Sequence, residues 1–404
     1  MGSGDPFLLT GPAEGRPLAS TRKGATVVLR CSTFAAAMGS RLRRTCARLP
    51  RLLAALAVWA GCDPFHTGFD DIEDAKAYRA ARAPAPPSWT GRLVVMNYNV
   101  KFGGGRIDFF FDCFGHRVLM SKDEVIANLE HLVAKINQVD PDVLVVQEVD
   151  INSKRAAYVD QMQWLLDHSQ LGYGVYASQW KADYVPSDGI GAVDSGNGIL
   201  SKFPLVDAQR IALPLRSDQS GIERYFYLRR NIVRARLEVP TAKPIHVVAT
   251  HADAYGKDGT KKSHIDRYQQ ELDAATASGA WVIGAGDLNT LPPGSEKTSG
   301  FPDSVCTDQE FVADDYSAET TWLEPLYRTY TPDIPLTTYQ ADNASYFSHT
   351  TDKNGFWNRK LDVMFTNATV VPGSGLVHQD EAHGGMATMP LSDHAPVTME
   401  IEVP

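Results

Sequence analysis

A chain of 404 residues with 43% apolar and 22% charged side chains has the composition of a globular protein, which excludes a disordered or fibrous one. The net charge of −9 is unevenly divided, because residues 1–61 hold nine Lys and Arg against two Asp and Glu, which leaves 30 basic and 46 acidic residues in the remainder. So acidic a body excludes non-specific polyanion binding through bulk charge, but it does not exclude a local basic groove.

The first predicted element is an export signal. From Met38 the chain has a basic stretch, then an apolar run from Leu52 to Ala60 that is too short for a comfortable membrane span. The ending VWAGC resembles the bacterial lipoprotein box, in which the cysteine after a small pair is lipidated. This resemblance implies an exported protein of the bacterial cell envelope, in the periplasm or at the cell surface, anchored through lipid at Cys62. An ordinary cleaved signal or a buried N-terminal helix is the alternative.

Residues 62–90 follow, and their Pro/Ala stretch AARAPAPPSW predicts a semi-rigid tether between the leader and a domain at 91–404. If the leader is removed and Cys62 carries lipid, Cys113 and Cys306 are the remaining thiols. One disulfide and two buried free cysteines are both compatible with an exported protein.

The domain opens with a strand, a helix and a second strand. RLVVMNYNV (92–100) and DPDVLVVQEVD (140–150) have strand-like apolar runs. Between them, Ser121 and Glu124 have the spacing of a capping box, and one helical face carries Val125, Leu129, Leu132, Val133 and Ile136. This order is typical of a layered α/β architecture.

The second half of the domain repeats the order. IHVVATHAD (245–253) and AWVIGAGDLN (280–289) are predicted strands, and the helix between them has Ser263 as its N-cap and Gly279 as its stop. RRNIVRARLEV (229–239) and KLDVMFTN (360–367) alternate in the manner of half-buried strands.

Polar residues stand at the ends of these strands, where a core would not accept them unpaired. Each alone is compatible with a capped strand end or a turn. Strand ends meet along one edge of an α/β sheet, so the set predicts a shared pocket rich in carboxylates, which suits a hard divalent cation. Its members are Asn99, Glu148, His251, Asp287, Asn289, Asp362, Asp393 and His394.

The ordered blocks YNVK, QEV, GNGILS, THAD, GDLN, LDVMF and SDHAPV resemble the signature of the endonuclease/exonuclease/phosphatase superfamily, across roughly residues 92–403. The resemblance implies a DNase-I-like α/β fold, a four-layer sandwich with two central, mostly antiparallel β-sheets between helices. It also implies hydrolysis of phosphate esters with a divalent metal, Mg²⁺ first, with Mn²⁺ or Ca²⁺ as alternatives.

The resemblance assigns a role to each block. Glu148 is the metal-binding glutamate, assisted by Asn99, and Asp393 is a second metal-side carboxylate. Asp287 and Asn289 position the attacking water and hold the scissile phosphate.

Two histidines complete the implied catalytic set. His394 stands beside the phosphorus and is oriented by Asp362, whereas His251 is a candidate acid or phosphate ligand, and these two roles can be exchanged. Arg229, Arg230 and Asn197 are assigned to substrate binding.

The substrate is less constrained. His251 and export argue against abasic-site repair, which leaves a nuclease, a phospholipid or sphingolipid phosphodiesterase, and a sugar- or inositol-phosphate phosphatase. Phosphodiester cleavage is favoured, with nucleic acid ahead of lipid, and Lys257, Lys261, Lys262 and Arg267 suit any anionic phosphate. The run Phe109 to Phe111 with Phe114 is either a lipid-touching wedge or core. The insert 295–335 is the predicted source of specificity.

A non-catalytic, lipid-anchored protein that binds a phosphate ligand is the alternative from another class. In either case, the sequence shows no obligate protein partner, and we expect a monomer.

Overall fold

The computed structural model describes residues 63–112, 115–306 and 312–404. The chain divides into two units, Met1–Gly61 and Cys62–Pro404. The predicted export signal and Cys62, as well as Cys113 and Phe114, lie outside the described residues. Cys306 is disulfide-bonded.

The described residues form fifteen strands and six α-helices. The strands are β1 (Ile72–Asp74), β2 (Lys76–Arg79), β3 (Arg92–Asn99), β4 (Val143–Asp150), β5 (Tyr173–Val185), β6 (Gly191–Ser201), β7 (Leu205–Ala212), β8 (Asn231–Leu237), β9 (Ile245–His251), β10 (Trp281–Asp287), β11 (Thr331–Pro332), β12 (Asp362–Thr366), β13 (Thr369–Val370), β14 (Leu376–Val377) and β15 (Val397–Glu402). The helices are α1 (Lys122–Val139), α2 (Gln161–His168), α3 (Gly221–Phe226), α4 (Thr260–Ala277), α5 (Glu324–Thr329) and α6 (Leu336–Ala341).

The strands form two mixed sheets. One has seven strands in the order β1-β7-β8-β9-β10-β12-β11, and the other has eight, in the order β13-β15-β3-β4-β6-β5-β2 with β14 beside β15. The pairs β3–β4 and β9–β10 are parallel, and the other pairs are antiparallel. Each parallel pair needs a crossover, which is α1 in the first case and α4 in the second.

Three apolar layers hold these elements together. Alternate residues of β3 face opposite sides, so Val95 packs between the two sheets and Met96 packs under α1. In β9, Val247 faces the other sheet and Val248 faces α4. The layers therefore run helix, sheet, sheet, helix, which confirms the predicted four-layer sandwich.

The starts of the two crossover helices differ in how they are capped. Ser121 caps α1 and forms the predicted capping box with Glu124, whose backbone N–H donates to Ser121 Oγ at 3.2 Å. The prediction for α4 was wrong at its start, because the helix begins at Thr260 with Gly259 as N-cap. Ser263 lies inside the first turn, where its hydroxyl donates to the Gly259 carbonyl at 3.2 Å.

The predicted tether differs from the structure as well. Within residues 62–90, β1 pairs with β7 and β2 pairs with β5, so this segment supplies an edge strand to each sheet. Tyr78 of β2 is buried against the α1 layer. Edge pairing is made by backbone hydrogen bonds, and strands of three or four residues are too short to show a side-chain pattern.

The phenylalanine run after β3 mostly packs inside. Phe109 is buried and its ring stacks on Phe111 at 5.8 Å. Phe110 is half-buried and turns to a separate small cluster near the β5–β6 turn. The core interpretation therefore holds for Phe109 and Phe111.

None of the helices in the described residues combines the length and the apolar character that crossing a membrane requires.

Candidate active site

The strand directions bring the predicted polar residues to one edge of the two sheets. Asn99, His251 and Asp287 are the last residues of β3, β9 and β10. Strand β9 is parallel to β10, and β3 is parallel to β4. Asp362 opens β12, which is antiparallel to β10, and the cross-strand register places Asp287 between His251 and Asp362. His394 precedes β15, which is antiparallel to β3.

Asp287 is the centre of this cluster. Its Oδ2 atom lies 3.2 Å from Asn99 Nδ2, 3.4 Å from His251 Nε2 and 3.6 Å from His394 Nε2. Its Oδ1 accepts the backbone N–H of Asn289 at 3.0 Å. The buried carboxylate is thus surrounded by nitrogen atoms, which offset the free-energy cost of burying its charge.

His394 is oriented by Asp362, whose Oδ2 lies 2.7 Å from His394 Nδ1. Asp362 also accepts from Ser348 Oγ at 2.7 Å and from Asn97 Nδ2 at 3.2 Å. With Nδ1 held in this way, His394 directs Nε2 at Asp287. This carboxylate–imidazole arrangement fixes the ring and favours its charged form.

Ser348 and Asn97 were not among the residues predicted for the site. Ser348 lies in an irregular segment without a pattern, and its hydroxyl also accepts the backbone N–H of Asp362 at 3.1 Å. Asn97 faces the interior within β3, where Gln147 Nε2 donates to it at 2.8 Å. The available signal for Asn97 and Gln147 was that each is a polar residue inside an otherwise apolar strand.

Glu148 reaches the cluster through an irregularity in β4. The β4–β6 register shifts between Val146 and Val149, and Glu148 has a φ of 56°. Such a conformation costs a non-glycine residue about 1–2 kcal/mol and re-aims its side chain. Asn99 Nδ2 donates to Glu148 Oε1 at 3.2 Å, and His251 Nε2 lies 4.0 Å from the same oxygen.

Asp393 lies on the other side of the cluster, with a buried lysine beside it. Lys101 Nζ is 3.6 Å from Asp393 Oδ2 and 2.9 Å from Asp112 Oδ2. Ser392 Oγ donates to the Asn99 carbonyl at 2.8 Å and thereby holds this loop to the end of β3. Lys101 belongs to the YNVK block, but its pairing was not predicted.

The two histidines differ in pKa. Burial alone would lower the pKa of His394, but the Asp362 and Asp287 carboxylates outweigh it and raise that pKa to about 10. Burial lowers the pKa of His251 well below its usual range, and the Arg230 and His394 charges act in the same direction. His394 is therefore an imidazolium at neutral pH and His251 is neutral.

The carboxylates are separated in the same way. Burial raises the pKa of Asp287 to about 7, against the opposing effect of His394. Burial and then the Asp393 charge raise the pKa of Glu148. Burial would also raise the pKa of Asp393, but Lys101, His394 and Arg106 lower it overall.

Two groups of side chains could hold a metal. Asp287, Asp362 and His394 offer ligand atoms within 4.8 Å of one another. In that group, however, His394 Nδ1 is bonded to Asp362, and a protonated imidazole has no lone pair for a cation. Glu148 and Asp393 offer carboxylate oxygens, whereas Asn99 directs its Nδ2 at Glu148 and its Oδ1 accepts the backbone N–H of Lys101 at 3.1 Å. Burial and then the Asp393 charge raise the pKa of Glu148, as expected where a cation would compensate both carboxylates.

The three predicted substrate contacts lie in different places. Arg230 is buried and lines the cleft, with Nη1 donating to Gln179 Oε1 at 3.2 Å. Arg229 is half-buried and does not line the cleft, because neighbouring residues of an extended segment face opposite sides. Asn197 also does not line it, since it faces the opposite sheet and donates to Asn231 Oδ1 at 3.2 Å.

The cluster lies in a cleft of about 630 Å³, to which the insert contributes. Arg359 lines the cleft, where its guanidinium pairs with Asp303 at 3.0 Å and packs between Phe301 and Tyr316. His349 also lines it, with its ring 4.4 Å from that of His394. Neither of these two cleft residues was predicted, because neither follows a strand.

Residues 96–394 match the model of the endonuclease/exonuclease/phosphatase family. No curated protein matches the sequence significantly. Among solved structures, the chain is similar to the endonuclease/exonuclease/phosphatase from Beutenbergia cavernae DSM 12333, with 18% identity, a TM-score of 0.48, and coverage of 77% of this chain and 72% of that one. It is also similar to the human Nocturnin catalytic domain with bound sulfate anion, with 15% identity, a TM-score of 0.44, and coverage of 78% and 95%.

Proposed function

The chain belongs to the endonuclease/exonuclease/phosphatase family, and on that premise we propose that it is a divalent-metal-dependent phosphodiesterase. The observation that carries the proposal is the position of Asp287, whose Oδ2 is within 3.6 Å of both His251 Nε2 and His394 Nε2. A base near neutrality and an adjacent imidazolium are the two proton-transfer groups that ester hydrolysis requires.

The donor set fits the metal that the family implies. Glu148 and Asp393 would hold it, because carboxylate oxygens suit Mg²⁺ or Mn²⁺, and Asn99 would assist by orienting Glu148 through its amide N–H. When bound, the ion supplies charge stabilisation at the phosphoryl oxygens.

The residues of the chain perform the remaining steps. Asp287 accepts a proton from the attacking water, whose oxygen forms the new bond to phosphorus. The bond from phosphorus to the leaving oxygen breaks, and His394 donates a proton to that oxygen. Asn289 and neutral His251 hold the phosphoryl oxygens, and Arg230 supplies a buried positive charge. In these assignments His394 is the acid and His251 is a phosphate ligand, which is one of the two arrangements that the sequence left open.

We further propose that the enzyme is exported to the bacterial cell envelope as a monomer and is held there by lipid at Cys62. A lipoprotein-type ending and an acidic body support this location.

Initial rates on bis(4-nitrophenyl) phosphate test the function in the full chain. We expect hydrolysis in Mg²⁺ that stops on chelation, and losses of roughly 10²–10⁴-fold in Asp287→Asn and in His394→Ala. His383→Ala is the matched control, because that half-exposed histidine lies away from the cleft and pairs with Asp380.

Two results would contradict the proposal. One is a rate that persists in the chelator, and the other is a folded protein that binds a phosphate ester in Mg²⁺ and returns it unchanged. The second result would establish the non-catalytic binding protein.

A further inference from the structure

The cleft extends well beyond the catalytic cluster. A volume of about 630 Å³ lies in the range of pockets that enclose a whole organic ligand, whereas one phosphoryl group with its metal fills a small part of it. The residues that line the part away from Asp287 therefore bear on what else the substrate carries.

Much of that part is apolar. We call it the apolar wall and define it by six residues from three segments: the loop after β3, the β5–β6 hairpin and α3. They are Phe110, Trp180, Val185, Ile190, Ile222 and Phe226. Five of them pack with one another in a cluster separate from the main cores, and the sixth, Ile222, stands beside them on α3. The wall and the catalytic cluster line one continuous cleft.

The wall is held in place by polar contacts at its back. Trp180 Nε1 donates to the Phe226 carbonyl at 2.7 Å, which fixes α3 to β5. Ser220 caps α3 in a capping box with Glu223. None of the residues of α3 is buried, and Ile222 is 71% exposed although it lines the cleft. Helix α3 therefore presents apolar side chains to an open cleft, where they can contact a bound ligand.

The charges of the cleft allow for a single anionic group. Four Lys and Arg line it, and three of them have a carboxylate partner, at 2.9 Å for Lys101, 2.8 Å for Arg155 and 3.0 Å for Arg359. Within the described part of the chain, Arg230 has no carboxylate within 4.0 Å and its side chain bonds only to a neutral amide. Arg230 acts electrostatically on the more distant Glu148, and its guanidinium has no direct carboxylate contact in the described residues, so it is available to an anion of the ligand.

Three of the four basic residues after His251 are paired and do not add to this charge, and the fourth, Lys257, is exposed and does not line the cleft. Lys261 is buried against Glu319 at 2.8 Å, Lys262 pairs with Asp266, and Arg267 pairs with Glu271 at 2.7 Å. A nucleic-acid groove would need a row of unpaired cations along the backbone path. The sequence-based preference for nucleic acid is therefore not supported by these contacts.

From these observations we propose that the apolar wall is a substrate subsite, and that the enzyme acts on small phosphodiesters in which one arm is an apolar group. The scissile phosphate is the single anionic group, and the apolar arm, an alkyl chain or an aromatic ring, lies against Ile222 and Trp180. This inference rests on the proposed function for the identity of the reacting group.

Calorimetric titration of the full chain in Mg²⁺ with alkyl- and arylphosphonates tests the subsite without turnover. The probes are methyl-, butyl-, octyl- and phenylphosphonate, which share the anionic head and differ in the apolar arm. Burial of about 0.8 kcal/mol per methylene predicts that butylphosphonate binds at least tenfold more tightly than methylphosphonate. Tighter binding of the octyl probe would assign the arm to an alkyl chain, and tighter binding of the phenyl probe would assign it to a ring.

Ile222→Ser tests the wall itself, because an exposed side chain can be replaced without disturbing the core. We expect the ratio of butyl to methyl affinity to fall at least threefold, with methyl affinity unchanged. Ile72→Ser is the matched control, since Ile72 is 54% exposed on β1 and does not line the cleft. It should keep the wild-type ratio.

The proposal is overturned if the four probes bind equally, if Ile222→Ser keeps the wild-type ratio, or if a short oligonucleotide binds more tightly than butylphosphonate with a steep dependence on salt. Failure of the proposed function gives a different result, namely graded phosphonate binding in a protein that hydrolyses no ester.

Discussion

His394 lies between two carboxylates, and its ring orientation and its charge have the same origin. Asp362 holds Nδ1, and Nε2 is left facing Asp287. Because these partners stabilise the imidazolium more than burial destabilises it, His394 remains charged well above the pH at which a free histidine loses its proton.

Replacement of Asp362 by Asn should lower the pKa of His394. In the folded, metal-free protein that pKa is raised to about 10, so the charged form is present below that pH and is lost as the pH rises through it. We expect a histidine NMR signal that titrates near pH 10, is absent in His394→Ala, and moves down by at least one pH unit in Asp362→Asn.

The matched control is Asp380→Asn. Asp380 pairs with His383 at 2.9 Å, and both side chains are partly exposed to solvent. Its loss should leave the His394 signal unchanged. A His394 signal that titrates near the ordinary histidine pKa in the wild-type protein would show that Asp362 does not hold the charge.

At the scale of elements, two βαβ crossovers position the site, and their helices begin with different caps. The start of α1 has reciprocal hydrogen bonds between Ser121 and Glu124, whereas α4 begins after Gly259 with no side-chain cap. We therefore expect Ser121 to stabilise the start of α1 more than Ser263 stabilises α4.

Ser121→Ala should reduce the free energy of unfolding by about 1 kcal/mol, because it leaves the backbone N–H of Glu124 without an acceptor. Ser263→Ala should reduce it by less than about 0.5 kcal/mol, since Ser263 only bonds back to the preceding turn. Urea unfolding followed by circular dichroism measures both. Equal losses would mean that α4 starts at Ser263 after all.

A second element-scale prediction concerns the joint between β11 and β12. Lys360 and Asp333 are fully buried and pair at 2.8 Å, and Asp333 Oδ1 accepts the backbone N–H of Met364 at 3.0 Å. Asp333→Asn should therefore cost about 3 kcal/mol or more, because it leaves the lysine charge uncompensated.

Glu402→Gln is the control for this pair. Glu402 pairs with Arg92 at the surface, where both side chains are about half exposed, and its loss should cost less than about 1 kcal/mol. If the two substitutions shift the urea midpoint equally, the Lys360–Asp333 pair is solvated in solution.

The elements differ in how far sequence alone could predict them. β3, β4, β9 and β10 are buried on both faces, so their apolar runs are continuous and end visibly at Asn99, His251 and Asp287. The polar residues that the structure brings together at those ends were therefore predictable. β1 and β2 were not, because edge strands of three or four residues form through their partners' backbones.

Within the cleft, the same limit applies to single residues. Ser348, His349 and Arg359 act through contacts with residues distant in sequence, and no local pattern marks them. Arg230 was predicted, but its neighbour Arg229 was predicted with equal weight, because composition does not reveal which of two adjacent side chains faces the cleft.

At the scale of the whole molecule, the charge is divided between a basic head and an acidic body. Residues 1–61 hold nine basic and two acidic residues, whereas the remainder holds 30 and 46. A basic head before an acidic body fits the export proposed above, and an acidic body carries no general attraction for polyanions.

Lipid attachment at Cys62 is tested by metabolic labelling with an alkyne fatty acid in a bacterial host. We expect label in the wild-type chain and none in Cys62→Ala, because a lipoprotein has one acceptor cysteine. Cys46→Ala is the matched control, since it removes a cysteine of the basic head and should keep the label. Label that remains in Cys62→Ala would rule out this anchor.

The position of β15 has a consequence for synthesis. This strand, Val397–Glu402, lies in the interior of the eight-stranded sheet between β13 and β3, and the loop before it carries Asp393 and His394. A nascent chain that still has these residues inside the ribosome can neither close that sheet nor assemble the catalytic cluster. The cluster around Asp287 therefore forms only after these residues have left the ribosome, and under the proposed export the same delay would keep the chain in the open form that a secretion channel accepts.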